Sequence, residues 1–229
     1  MYKEAHQNLE RLNLKKPEAN DTLKVDNDLM MYLEYILVAK KVFVKSYFLQ
    51  RAYELLQLGN SLCFKASEND KDKASELDYY WYKINEYMAN LYTDQFFYQV
   101  AKKHMEKAKE IIEKGNLTEL DKCKHELKYA NFLKRSGYYT KATELIVTLE
   151  NKIYLIGDNF EKEFKFRVMR DKARALAISN RVDESMESFD KAENMLNCNK
   201  KNVKYGKCLY LRGLASKRIS NEAAIERFE

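Results

Sequence analysis

A small residue returns at one place again and again in this chain of 229 residues. Ala52, Ala101, Ala142, Ser185 and Ala224 are each followed, four residues on, by a large apolar one: Leu56, Met105, Ile146, Phe189 and Phe228. After the first four, another small or apolar residue comes three further along, at Gly59, Ala108, Leu149 and Ala192. Spacings of four and three draw one stripe down an α-helix. The steps from marker to marker are 49, 41, 43 and 39 residues. Upstream of the last four markers lies a second small residue, Ala89, Ala130, Ala173 and Gly213, at distances of 12, 12, 12 and 11. A near-constant step between two small positions, inside a much longer period, describes two helices joined by a short turn. Written several times in succession, it predicts stacked helix-turn-helix units. The stretch from Gly137 to Ile146 shows one such turn: Gly137 is free to take a positive φ and close a helix, Thr140 or Ser136 offers a cap, and Ala142 and Ile146 open the next stripe.

Composition agrees. Six Gly, one Pro and 33% charged residues are too few chain breakers for an all-β protein of this length and suit long helices. No window is apolar for long enough to cross a bilayer, and Met1–His6 lacks the apolar run of a signal peptide. Cys63, Cys123, Cys198 and Cys208 form no CxxC pair and no metal-ligand spacing, which reads as reduced thiols of an intracellular protein, cytoplasmic or nuclear. The net charge of +6 is mild. It favours an acidic partner without arguing for nucleic acid.

The pattern resembles the tetratricopeptide repeat over about residues 39–229. In that family a small residue of helix A packs on a small residue of helix B, and a large residue follows three after the first. Here Tyr92, Leu133 and Leu176 stand at that place, with Ser216 a weaker match. The aromatics usual near the A–B turn are Phe97, Tyr98, Tyr138 and Tyr139. The period exceeds the common 34 residues, and the closing proline and the Trp at the start of helix A are missing. Long-repeat relatives, such as spindle-orientation scaffolds and bacterial peptide-pheromone receptors, are the better comparison. The resemblance implies an all-α, right-handed α-solenoid. It implies one domain over 1–229, with units at about 22–65, 76–115, 117–157, 160–198 and 201–229, the last cut inside its helix B and continuing beyond the chain end.

Along the chain, residues 1–14 read as a short amphipathic helix, broken near Pro17. Helices are expected at 22–45, 47–65, 76–94, 96–114, 117–135, 139–156, 160–179 and 182–197. The polar run 67–75 reads as an exposed loop open to proteolysis, Gly115-Asn116 as a helix stop, and Gly157-Asp158-Asn159 and Ser179-Asn180-Arg181 as turns.

No catalytic constellation stands out. His125-Glu126 is followed by Tyr129 where HExxH needs its second His, and there is no GxxxxGK[ST], GxGxxG or GxSxG. His6, His104 and His125 stand alone. The chain therefore reads as a non-enzyme without metal or cofactor. What the resemblance adds is a groove. In tetratricopeptide proteins helix A lines the concave face, and the residues just after and three before its small position point inward. Here these are Asn90, Asn131, Arg174 and Leu214, and Glu86, Leu127, Arg170 and Tyr210. Asn90, Asn131, Arg170 and Arg174 resemble the dicarboxylate clamp that grips a peptide's acidic C-terminus, although Glu86 replaces a lysine of that clamp. Lys124, Lys134, Arg167 and Lys207 extend a basic strip. Fixed amides and guanidinium forks suit carboxylate or phosphate.

The expected function is a protein-protein scaffold binding a partner peptide or helix, acidic or phosphorylated, in that groove. The alternatives are a helical arm or regulatory subunit of a larger protease or kinase, and nucleic-acid binding through Lys102-Lys103 and Lys200-Lys201. The last is disfavoured by interspersed acidic residues. No membrane contact is expected, and self-association stays open.

Overall fold

The computed structural model describes residues 27–45, 47–156, 162–195 and 208–214. The expectations for 1–14, Pro17, the 157–159 turn, Lys207 and Ala224 fall outside them. The described elements are α1 (Asn27–Lys45), α2 (Leu49–Asn69), a 3-10 turn (Lys71–Lys73), α3 (Ala74–Asp94), α4 (Tyr98–Lys114), α5 (Glu119–Arg135), α6 (Tyr139–Ile156), α7 (Lys162–Ile178) and α8 (Val182–Met195), with a helical stretch over 208–214. No strand occurs among the described residues. The chain divides into two compact units, Met1–Thr118 and Glu119–Glu229. Within the first, α1 packs on α2, α2 on α3 and α3 on α4, and α1 also meets α3. Within the second, α5 packs on α6, α6 on α7 and α7 on α8, and α5 also meets α7.

The 12-residue step becomes a contact. Ala89, Ala101, Ala130, Ala142, Ala173 and Ser185 are completely buried. The Ser185 hydroxyl donates to the Ala173 carbonyl at 2.8 Å, joining the two small positions of one hairpin. Two side chains without bulk let two backbones come this close, and the apolar stripes on either side seal the seam. On α4 the buried set is Ala101, Met105, Ala108, Ile111 and Ile112, and burying a side chain such as Met105 is worth about 1.5–3 kcal/mol. In the first hairpin Lys40 stands 12 before Ala52, where the others carry a small residue. It is buried all the same, its ammonium over the Tyr87 ring of α3.

Each A–B turn closes the same way. The amide N–H of Phe48, Phe97, Tyr138 and Arg181 donates to the carbonyl of Phe43, Tyr92, Leu133 and Leu176, each at 2.9 Å. The residue before donates to a carbonyl three back: Tyr47 to Val44, Phe96 to Thr93, Gly137 to Lys134 and Asn180 to Ala177. This is the Schellman closure, which puts its penultimate residue in the left-handed region. Those residues are Tyr47 (φ 63), Phe96 (φ 65), Gly137 (φ 87) and Asn180 (φ 58). Glycine and asparagine tolerate that conformation. A bulky aromatic does so at a cost of about 1–2 kcal/mol.

Two expectations shift. The 67–75 loop is mostly helix: α2 runs to Asn69 and α3 starts at Ala74. Leu62, Cys63 and Ala66 carry the buried stripe into the last turns, the Ser67 hydroxyl donates to the Phe64 carbonyl, and the Asp70 amide caps on Ala66. Gly115 does end α4, but with an extended backbone. Glycine is needed there for space, because a Cβ would come within 2.3 Å of the Asp78 carboxylate.

Candidate functional site

Three of the residues expected in the groove, Asn131, Lys134 and Arg170, gather between α5 and α7 around a carboxylate, with Arg174 beside Lys134. Asn131 and Lys134 lie one turn apart on α5; Arg170, Asp171 and Arg174 lie on α7. The Asp171 side chain is 4% exposed. Arg170 donates to its Oδ1 through Nε at 3.1 Å and Nη2 at 2.9 Å, a two-pronged grip. Asn131 Nδ2 donates to Oδ2 at 3.1 Å and to the Leu127 carbonyl at 3.0 Å. Lys134, itself 7% exposed, donates through Nζ to Asn131 Oδ1 at 2.7 Å. The Asn131 amide thus bridges the ammonium and the carboxylate. The Arg170 guanidinium also lies 5.8 Å from the centre of the Phe166 ring.

The charges show how tightly this is wound. Burial pushes the Asp171 carboxyl up, but Arg170, Lys134 and the Asn131 amide outweigh it, so its pKa lies below the usual carboxylate value. Burial pulls Lys134 down, Arg174 and Arg170 pull it further, and Asp171 only partly restores it; it titrates at about 8. Arg174 is half-buried and has no carboxylate partner among the described residues.

Lys124 is half-buried on α5 and Arg167 is exposed on α7, one turn before Arg170. Asn90 lies in the first unit, half-buried on α3. Asp171 is the residue that reading the sequence misses. Its one clue is arithmetic: it lies 40 residues from Asn131, one repeat period, and so comes opposite it on the next helix A.

The first unit is built differently. At the register of Arg170, Asp171 and Lys134 it carries Glu86, Tyr87 and Thr93. Thr93 turns its hydroxyl back onto the Ala89 carbonyl at 2.7 Å. Beside the cation–π contacts of Lys40 with Tyr87 and Lys107 with Trp81, it has a run of neutral links between α2, α3 and α4. Trp81 Nε1 donates to Asn60 Oδ1 at 2.9 Å, and Asn85 Nδ2 donates to the same oxygen at 3.2 Å and to the Trp81 carbonyl at 2.9 Å. With its amide spent as a donor, Asn85 presents Oδ1 to His104, whose Nδ1–H donates at 3.0 Å. His104 stacks on Tyr92 with ring centres 5.5 Å apart, and the Tyr92 hydroxyl donates to that of Tyr53 at 2.9 Å. Burial lowers the His104 pKa. Burial and the bond to Tyr53 push Tyr92 to about 12.

Cys63, Cys123 and Cys208 are buried single thiols, and burial pushes each away from the reactive thiolate. Among the described residues no group of three or more His, Cys, Asp and Glu could hold a metal ion, and no helix is long and apolar enough to cross a membrane.

No protein-family model and no curated protein matches the chain. Among solved structures it is similar to a chain described as a Podosopora anserina kinesin light chain with nearly identical TPR-like repeats. The two share 15% identity and a TM-score of 0.56, over 86% of each chain. At that identity the likeness speaks for the fold, and it agrees with the hairpins above: the chain has an all-α fold of TPR-like repeats.

Proposed function

We propose that this protein is an interaction scaffold which holds an acidic segment of a partner protein against the helix-A layer of its second unit. TPR-like repeats commonly mediate protein-protein contacts, and fold-level analogy carries that part of the reading. The site rests on one observation: Arg174 is held half-buried beside Lys134 and Arg170, with no carboxylate of its own among the described residues. Placing a third cation next to two others is unfavourable unless an anion arrives. Arg174 would supply the fork, and Arg167 and Lys124 would extend the contact along the segment. On this reading the protein works inside the cell and carries out no chemistry of its own.

The test is affinity purification from native extract with wild type, Arg174→Glu and Arg170→Glu/Arg174→Glu. The expected result is a partner recovered by wild type and lost in both variants. Arg174→Glu leaves the Arg170–Asp171 grip intact, so loss in that variant reports binding rather than misfolding. A partner retained by both variants would remove the site.

A further inference from the structure

We propose that the anion read by this face is a doubly charged phosphate monoester on a segment of the partner protein, rather than a carboxylate. This rests on the scaffold reading above and narrows it to one ligand chemistry.

The first argument is occupancy. A site meant for one external carboxylate would leave an amide and a guanidinium fork open. Here the Asn131 amide and the Arg170 fork are committed, since Asp171 takes the amide on one oxygen and Arg170 Nε and Nη2 on the other, which leaves Arg174 to meet the incoming anion.

The second argument is stoichiometry. Asp171 takes charge from Arg170 and Lys134, and Arg174 adds a further positive charge beside Lys134. Other carboxylates of the second unit are engaged elsewhere: Glu150 with Lys172, and Glu119 and Glu126 with Lys152. Fastening a structural carboxylate takes one cation, and Arg170 does it. The two surplus charges stay in a place too buried for water to screen them well. A carboxylate would cancel one of them. A phosphate monoester carries about −1.5 to −2 at pH 7 and presents three strong acceptors.

The third argument is the shape of the donor set. Arg167, Arg170 and Arg174 recur on α7 at steps of three and four, which lines them up on one face, from the exposed Arg167 to the half-buried Arg174. The N–H groups of Arg174 are uncommitted among the described residues, and Lys134 lies beside it. Guanidinium forks around a point charge suit a tetrahedral oxyanion. The depressed Lys134 fits the same scheme, because a dianion beside it would draw its proton back.

The experiment titrates the full chain with N-acetyl-phosphoserine amide, N-acetyl-glutamate amide and inorganic phosphate, following the arginine Nε–H and lysine Nζ signals by NMR. The phosphoserine probe is expected to bind about ten-fold or more tightly than the glutamate probe, the size of difference one added charge in a half-buried site can give. Arg174→Gln should abolish that binding and leave the Arg170–Asp171 signals in place. Binding should fall as pH rises past about 8, where Lys134 loses its proton. A glutamate probe that binds as well, or binding that survives Arg174→Gln, overturns the proposal. Inorganic phosphate binding as tightly as phosphoserine overturns the protein segment as its source. A second arm repeats the affinity purification after phosphatase treatment of the extract. A partner still held by wild type but lost by Arg174→Glu removes the phosphate and leaves the scaffold; one held by Arg174→Glu as well removes both.

Discussion

The two units solve the same packing problem with different polar chemistry. Both use the same turn, and apart from Lys40 in the first hairpin both place small residues at the 12-residue step. Between helices, the first unit links α2, α3 and α4 through Trp81, Asn60, Asn85, His104, Tyr92 and Tyr53, a chain of neutral groups. The second links α5 and α7 through Lys134, Asn131, Asp171 and Arg170, with Arg174 alongside, and α6 to α7 through the Lys172–Glu150 pair. A neutral network needs only its donors and acceptors matched. A charged one also needs its charges balanced, and at Lys134 the cations Arg170 and Arg174 stand against Asp171. The repeat scaffold tolerates either, so the imbalance reads as a property of that site rather than of the fold.

The comparison breaks most sharply at Asp171. Asp171→Ala leaves Lys134 and Arg170 buried without their counter-charge, and losing one member of a buried ionic set costs about 3–5 kcal/mol. Chemical denaturation followed by circular dichroism would measure it, and adding Lys134→Met should return part of the loss. A cost below about 1 kcal/mol, the worth of an exposed pair, would show that Asp171 is not the keystone of the cluster.

In the first unit the matching substitution is milder. Asn60→Ala strips the acceptor from both the Trp81 indole and the Asn85 amide, and should cost about 1–3 kcal/mol. Trp81 is the chain's one tryptophan, so its fluorescence follows this unit directly. A larger loss than that of Asp171→Ala would invert the comparison.

The turns sharpen it in the opposite direction. The second unit places Gly137 and Asn180 at the left-handed position, whereas the first places Tyr47 and Phe96, 89% and 76% exposed. Phe96→Gly should stabilise the first unit by about 1 kcal/mol, since relief of the backbone outweighs a side chain that buries little. Gly137→Phe should do the reverse. Thermal melts of the two variants decide it.

The smallest effect separates the units by pH. The folded His104 has a pKa below 6.5, so below 6.5 the unfolded chain binds the extra proton first and stability falls on acidification through the folded value. Asp171, whose folded value lies below 3.8, gives stability that is full above 3.8 and is lost only under stronger acid. Trp81 fluorescence should therefore register weakening at mild acidity before the α5–α7 amides lose protection from hydrogen exchange. His104→Gln should flatten the first change, and an unaltered profile in that variant would count against the histidine.

The repeat was legible in the residues because it is a matter of local spacing. Small residues at a fixed step leave one way for two helices to approach, and the stripes at four and three say which faces meet. That sufficed for the hairpins, for the left-handed Gly137, and for the seam that Ser185 and Ala173 close. The sequence also pointed, through the resemblance and not the spacing, to Asn131, Arg170 and Arg174 as groove residues and to Lys134 as part of a basic strip. It passed over Asp171, because an acidic residue in a helix that is nearly half charged looks like surface until the residue opposite it is known. It read 67–75 as a loop from polarity alone, although a stripe of Leu62, Cys63 and Ala66 was enough to hold the helix.

The sequence by itself determined the repeating unit, since period and side-chain size act within a dozen residues. The tertiary structure alone decided which charges meet. Asn131 and Asp171 lie 40 residues apart and touch only once α5 lies on α7, and an unbalanced charge has meaning only when its neighbours are fixed and water is kept away.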